Sequence, residues 1–305
     1  MKNIINYYYN LDCTELRMIG KNYLFKYDND FFLFCDLSQT NVDDLLSLLR
    51  QVQSIPYIHT AIYNKNKQII TSDGINNYIL FKININQNRY IQMNDVLHLY
   101  FDGSVFLTSK YNNNFNWVNL WSEKVDYLEY YINLKDNIDD EIKCIFNYFI
   151  GLSENAISYM KKIFETTKHT ENDKLSIVHK RLSYKYTLYD LYNPLNFVVD
   201  HISRDISEYI KSLFWDRNYN SNIIDAVIKQ SNLSEFGYKI LFGRMIFPTF
   251  FFDLLDKYEL NQFSSREMLN IFDRTKEYEE YILLIYNSIK KTRNINIPRI
   301  NWLGK

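Results

Sequence analysis

The stretch that decides how the chain is read is Ser176 to Lys211, SIVHKRLSYKYTLYDLYNPLNFVVDHISRDISEYIK. It opens on the cationic run His179-Lys180-Arg181. It then passes through a β-like apolar run that ends in an acid, Asn196-Phe197-Val198-Val199-Asp200. A helix start follows at Ser203-Arg204-Asp205-Ile206-Ser207-Glu208-Tyr209, with a short polar residue and an acid where a first turn favours them. Loop, strand, acid and helix in this order place several charged side chains close together around one strand end.

The rest of the chain frames this centre. At 305 residues it accommodates two modest domains or one large two-lobed fold, and 47% apolar residues supply a sizeable core. Seven glycines and four prolines are few for a β-rich or linker-rich protein. With 35 basic against 36 acidic residues there is no basic excess of the kind a nucleic-acid partner selects. Cys13, Cys35 and Cys144 show no short spacing and are odd in number, so the reading is buried thiols in a reducing compartment, without a disulfide framework or zinc site. MKNIINYYYN lacks the apolar core of a signal peptide, and the most apolar segment, 240–255, is broken by Arg244 and too short for a membrane span. The expectation is a soluble, cytosolic protein.

Residues 1–90 read as a small α+β unit. Tyr23–Tyr27 and Phe31–Asp36 are strand-like and joined by the hairpin signal Asp28-Asn29-Asp30, and Asn41–Arg50 is a helix with an Asn cap. Residues 58–63, 68–71 and 78–83 resume the strand pattern. From about 92 the period becomes helical: 116–134, 139–165 with Gly151 as a break, 223–230, 233–258 interrupted at Pro248, and one long helix from Ser264-Ser265 to about Lys291. The two parts are expected to meet near residues 80–95, with 176–205 in the cleft between them.

Strands, one helix, more strands and then helices is the order of a kinase-type phosphotransferase, and the central stretch has the order of its chemical centre. There a His-x-Asp supplies the base, an Asn about five residues on and a strand-end Asp hold Mg²⁺, and a later Asp anchors the loop. Here Arg181 stands at the base position, and a guanidinium accepts no proton. Tyr186 stands at the Asn position. Asp200 fits either the metal position or, with Asp205, the anchoring region before the helix, and both registers stay open. Asp205 is read as a helix cap or as the tie to the His179 loop. The amino-terminal part has only Gly20 and Gly74, and its second strand offers no Lys to grip phosphate, Lys26 being the one conceivable substitute. Arg181 is expected to pair with Asp200 or Asp205. A basic loop with no phosphotransfer ancestry is the plainer alternative.

Residues from about 117 onward carry a family resemblance: Trp117 with Leu120–Leu128, Gly151–Tyr159, His179–Leu182, Asp200–Asp205 with Glu208-Tyr209, Arg244–Pro248, and Ile297-Pro298 with Trp302. In order and spacing they resemble the spore-coat-associated branch of the aminoglycoside/choline-type kinase superfamily, the CotS and YutH type, most closely its YutH-like subgroup. The resemblance implies an α+β, two-lobed protein-kinase-like fold, with a small mixed lobe at 1–90 and a mostly helical lobe at 91–305. It also implies spore coat proteins as partners, with synthesis in the mother cell before deposition in the coat. The expected function is a pseudokinase with no cofactor, acting in coat assembly or as an interaction protein, with His179, Arg181, Tyr186, Asp200 and Asp205 as degenerate positions. The alternative is an active small-molecule phosphotransferase using ATP and Mg²⁺, with Asp200 as metal ligand.

Overall fold

A computed structural model describes residues 1–38, 40–102, 116–134, 139–259 and 265–303. The chain opens with a short helix, α1 (Lys2–Tyr9), and a meander of three strands, β1 (Leu16–Ile19), β2 (Asn22–Tyr27) and β3 (Asp30–Asp36). Helix α2 (Val42–Val52) and strands β4 (Thr60–Ala61), β5 (Ile70–Ser72) and β6 (Asn77–Lys82) complete the first part. All pairings in this sheet are antiparallel, in the order β1-β2-β3-β6-β4, with β5 also on β6. The β2–β3 hairpin turns at Asp28-Asn29, where Asp28 takes a φ of 52°, a left-handed value that Asp tolerates better than most residues. Asn41 caps α2 by accepting from the backbone N–H groups of Asp43 and Asp44.

The sheet has two apolar faces because its strands alternate. Phe25, Phe32, Phe34, Tyr78 and Leu80 pack with Ile5 of α1 and with Cys13. Leu33, Cys35, Ile79 and Phe81 pack with Leu45 and Leu49 of α2 on the other face. Helix α1 thus has a purpose that MKNIINYYYN does not announce: it covers one face of the sheet.

The remainder is mostly helical: α3 (Met93–Asp102), α4 (Trp117–Leu134), α5 (Asp140–Thr166), the short α6 (Leu188–Leu191), α7 (Ser203–Trp215), α8 (Ser221–Ser231), α9 (Glu235–Ile246), α10 (Thr249–Glu259), α11 (Ser265–Phe272) and α12 (Thr275–Arg293). A two-stranded hairpin, β7 (Leu175–His179) and β8 (Phe197–His201), sits among them. Gly151 does not break α5, which runs on through it with exposed space on that side. Pro248 does end a helix: α9 stops at Ile246 and α10 begins at Thr249. Ser234 caps α9 by accepting from Gly237 N–H.

The single long helix expected after Ser265 is two, parted at Asp273-Arg274. No proline or glycine signals this break. Its cause is tertiary: the Arg274 guanidinium lies 4.3 Å from the Phe214 ring centroid and donates to the carbonyls of Phe214 and Trp215, fixing the chain where it crosses α7. Cys13 and Cys35 are buried as expected, whereas Cys144 is exposed on the outer side of α5. No helix among the described residues is long and apolar enough to cross a membrane.

The central hairpin meets the amino-terminal sheet through α6 and the turn after it. His59, just before β4, donates from its backbone N–H to Tyr192 O (3.1 Å), and its ring Nε2 lies 3.0 Å from Tyr189 O. A carbonyl only accepts, so Nε2 carries the proton. Burial pushes the ring's pKa down to about 4, which keeps it neutral. Tyr189 and Leu195 then pack onto the sheet face beside Leu33 and Phe81. Within the stretch 176–205, Tyr189, Tyr192 and Leu195 meet the amino-terminal part.

Candidate functional site

The β7–β8 register sets Ser176 opposite Asp200 and His179 opposite Phe197, so the cationic run leaves one strand end while Asp200 enters α7 beside it. His179 is fully buried. Its Nδ1 is 2.8 Å from Asp205 Oδ2 and its Nε2 is 2.9 Å from Leu191 O. Both neighbours accept only, so both ring nitrogens donate and the ring is an imidazolium. Burial pulls its pKa down, but the Asp205 carboxylate outweighs this and holds it above the ordinary value. Asp205 also accepts from the backbone N–H of His179 (2.8 Å). Of the two roles open to Asp205, it takes that of the tie: the residue before α7 is Ile202, with no side-chain cap.

Asp200 is 0% exposed, and every direction from its carboxylate is taken. Oδ1 accepts from Trp117 Nε1 (2.9 Å), from His201 N–H (2.7 Å) and from Arg244 Nη2 (2.8 Å). Oδ2 accepts from Arg204 Nη1 (3.0 Å) and again from Arg244 Nη2 (2.8 Å). Burial alone would raise the Asp200 pKa; the two guanidinium groups reverse that and leave it below the usual carboxylate value. The rest of Arg204 ties the hairpin, Nε donating to His179 O (2.9 Å) and Nη2 to Lys180 O (2.9 Å). A divalent cation does not fit this arrangement: it would need a lone pair that is already committed and would face two guanidinium charges at contact distance.

Arg181 pairs with neither Asp200 nor Asp205. Its Nε and Nη2 reach Asp253 of α10 at 2.5 Å each in a bidentate pair, and Nε lies 3.8 Å from Glu208. The expectation fails because Arg204, four residues after Asp200, takes that acid first, while the loop swings Arg181 toward α10. Asp253 stands 72 residues away in sequence and carried no local signal. Lys180 donates to Leu195 O (3.0 Å). Tyr186 is half-buried, its carbonyl accepting from Ile91 N–H (2.8 Å), and burial raises the pKa of its hydroxyl.

The side where a nucleotide would enter is equally unlike a phosphate grip. β1 and β2 are joined by the two residues Gly20-Lys21, too short to wrap a phosphate with backbone N–H groups. The face of β3 toward the helical part carries Phe31, Leu33 and Cys35, with the Phe31 ring 6.2 Å from that of Tyr189. Lys26 is exposed on β2 and lies 5.9 Å from the Phe31 centroid.

With this geometry in view, comparison with known proteins is informative. The family described as "Spore coat putative kinase YutH" matches residues 2–284. The chain belongs to that family. Its relative in Bacillus subtilis (strain 168), the endospore coat-associated protein YutH, is 25% identical over 334 residues, covering 100% of this chain and 98% of the relative. Among solved structures, the aminoglycoside phosphotransferase of Alicyclobacillus acidocaldarius has a TM-score of 0.55 at 11% identity, covering 97% of each chain. AMP-bound spectinomycin phosphotransferase APH(9)-Ia has a TM-score of 0.54 at 11% identity, covering 93% of this chain and 96% of that one. The fold of this YutH family member is therefore that of the aminoglycoside phosphotransferases, a sheet-bearing amino-terminal region followed by a mostly helical one.

His179, Asp200 and Asp205, which the sequence singles out, lie close together in the structure, but the sequence reading missed the partners of Asp200. Arg204 was visible four residues on. Trp117 and Arg244 were visible only as parts of a resemblance, because 83 and 44 residues of chain separate them from Asp200.

Proposed function

We propose that this YutH family member is a catalytically degenerate kinase-fold protein that works as an interaction protein of the spore coat, without nucleotide or metal. The observation that carries the reading is the state of Asp200. Asp200, the acid that one of its two registers puts at the metal position of the family frame, is spent on Trp117, His201, Arg204 and Arg244. Phosphoryl transfer relies on positioned charge, and here a cation, Arg181, stands at the base position, with Tyr186 at the position of the second metal ligand. The coat assignment, with synthesis in the mother cell beforehand, draws on the Bacillus subtilis relative described as endospore coat-associated. Coat proteins are its partners on this reading.

The test is a thermal titration of the purified protein with ATP and Mg²⁺, run beside a turnover assay. A ligand that binds only the folded state raises stability by about 2.7 kcal/mol at a hundredfold excess over its Kd. The expected outcome is no shift and no Mg²⁺-dependent turnover. Turnover that disappears in Asp200→Asn while the fold survives would establish the opposite reading, an active small-molecule phosphotransferase. Fractionation of spores carrying a tagged copy tests the coat assignment, and recovery outside the coat fraction would count against it.

A further inference from the structure

Beside Asp200 the helical part holds a cavity of about 350 Å³, walled by Trp117, Trp121, Arg181, Arg204, Arg244 and Phe247. Three guanidinium groups line it, and in two of them every nitrogen donates: Arg181 to Asp253 and Lys180 O, Arg204 to Asp200, His179 O and Lys180 O. Arg244 differs. It is 6% exposed, yet only its Nη2 is used, on Asp200. Its Nε is buried without a partner, and Nη1 makes no hydrogen bond to any described residue. Asp200 cannot absorb these donors, since it already accepts from four groups. A buried charged donor left unpaired costs about 1–3 kcal/mol or more, which applies to the enclosed Nε, and Nη1 is the guanidinium nitrogen left to meet an acceptor in the cavity.

The walls narrow the chemistry of that acceptor. Trp121 and Phe247 stack on each other at 4.3 Å with an 8° interplanar angle, and the Trp117 ring lies 4.5 Å beneath the Arg244 guanidinium, so these rings form a closed floor. The apolar surface open to the body of a ligand is that of Leu120 and Tyr127, 36% and 51% exposed. Glu123 and Glu208 also line the cavity, opposite Lys124. Glu208 lies 3.8 Å from both Arg181 and Lys211, the latter buried beside it, and accepts from Thr249 Oγ1 at 3.3 Å. Phosphate is the competing anion, since four cations, Arg181, Arg204, Arg244 and Lys124, line the same wall as the two acids. The volume is at the lower end of the range for ligand cavities, roughly 300–1,000 Å³, and admits a small acid or the last residue of a chain.

We propose that this cavity binds a single carboxylate carried on an apolar body, anchored at Arg244 Nη1 and lying along Leu120 and Tyr127. A free organic acid and the C-terminal carboxylate of a peptide share this chemistry. The proposal rests on the degenerate reading of the same region and deepens it, since it gives the space beside Asp200 an occupant that needs no metal.

Calorimetric titrations without nucleotide test it, using phenylacetate, phenylacetamide, inorganic phosphate and N-acetyl-Gly-Phe with a free carboxylate. Phenylacetate is expected to bind at least about tenfold more tightly than the amide, a difference of about 1.4 kcal/mol. Whichever of phenylacetate and the peptide binds more tightly identifies the source. Arg244→Lys keeps a cation beside Asp200 and is expected to weaken phenylacetate at least about tenfold. Should that variant fail to fold, Leu120→Glu at the mouth, where Leu120 is 36% exposed, is expected to weaken binding similarly in a folded protein. Equal affinity for acid and amide, no binding of either acid, tighter binding of phosphate, or folded variants that bind like the parent would overturn the proposal. ATP turnover with the acid–amide difference intact would count against the degenerate reading alone. Loss of that difference without ATP turnover would count against the carboxylate site alone.

Discussion

Replacing Asp200 by Asn removes one negative charge from between two guanidinium groups. Arg244 is almost fully buried and Arg204 mostly so, and removing one partner of a buried ion pair costs about 3–5 kcal/mol. Asp200→Asn should therefore lower the melting temperature by on the order of 10 °C, followed by circular dichroism. Arg181 provides the contrast. It is 38% exposed and its partner Asp253 37%, so their bidentate pair is worth about 1 kcal/mol, nearer to a surface bridge than to a buried one. Arg181→Ala should melt only a few degrees below the parent. The reverse order of the two effects would mean that the charge balance of the cleft rests on Arg181 and that Asp200 is free for other work.

Two element junctions make their own demands. The hairpin–helix junction rests on His179⁺ and Asp205, so it should weaken with rising pH. A group whose folded pKa lies above its unfolded value stabilises fully below the unfolded value, 6.5 for His, and loses that contribution as pH climbs through the folded one. Lys211 works in the opposite sense, because burial depresses its pKa from 10.5 to about 8 and stability rises with pH across that interval. The His179 part is isolated by the difference in melting temperature between the parent and His179→Gln, which should shrink from pH 6 toward alkaline pH. A difference that stays constant would mean the ring is neutral. At the α5–α9 crossing, Gly243 lets the two helices approach so closely that an added Cβ would meet the Met160 sulfur and come within 3.1 Å of the Tyr159 ring. Gly243→Ala should cost about 1–3 kcal/mol by overpacking, against the gain of up to about 1 kcal/mol that alanine otherwise brings to a helix. A more stable variant would show that Met160 moves aside without loss.

Across the whole molecule, the amino-terminal sheet and the helical part are joined at His59, whose neutral ring donates to Tyr189 O and whose backbone donates to Tyr192 O. His59→Phe keeps the bulk and leaves the Tyr189 carbonyl without its donor, at a cost of about 1–3 kcal/mol. The loss should be read first as faster hydrogen exchange around residues 189–195. Exchange that rises evenly over the entire chain would show that the contact holds no particular junction.

How far all this was legible in the sequence depends on distance along the chain. The order of strands and helices, the Asn41 cap and the interruption at Pro248 follow from local rules, in which each residue acts on backbone within a turn of itself. Asp205 and His179 stand 26 residues apart and meet because β7 and β8 pair and α7 follows β8 directly. Other features were settled only when distant segments met. Arg181 chose Asp253 across 72 residues, Asp200 was claimed by Trp117 and Arg244 from 83 and 44 residues away, and Arg274 parted α11 from α12 against α7. A charge on a sequence states only that a partner is needed. Which opposite charge lies within 3 Å is decided by packing, because helices are positioned by their apolar faces and carry their polar side chains wherever those faces take them.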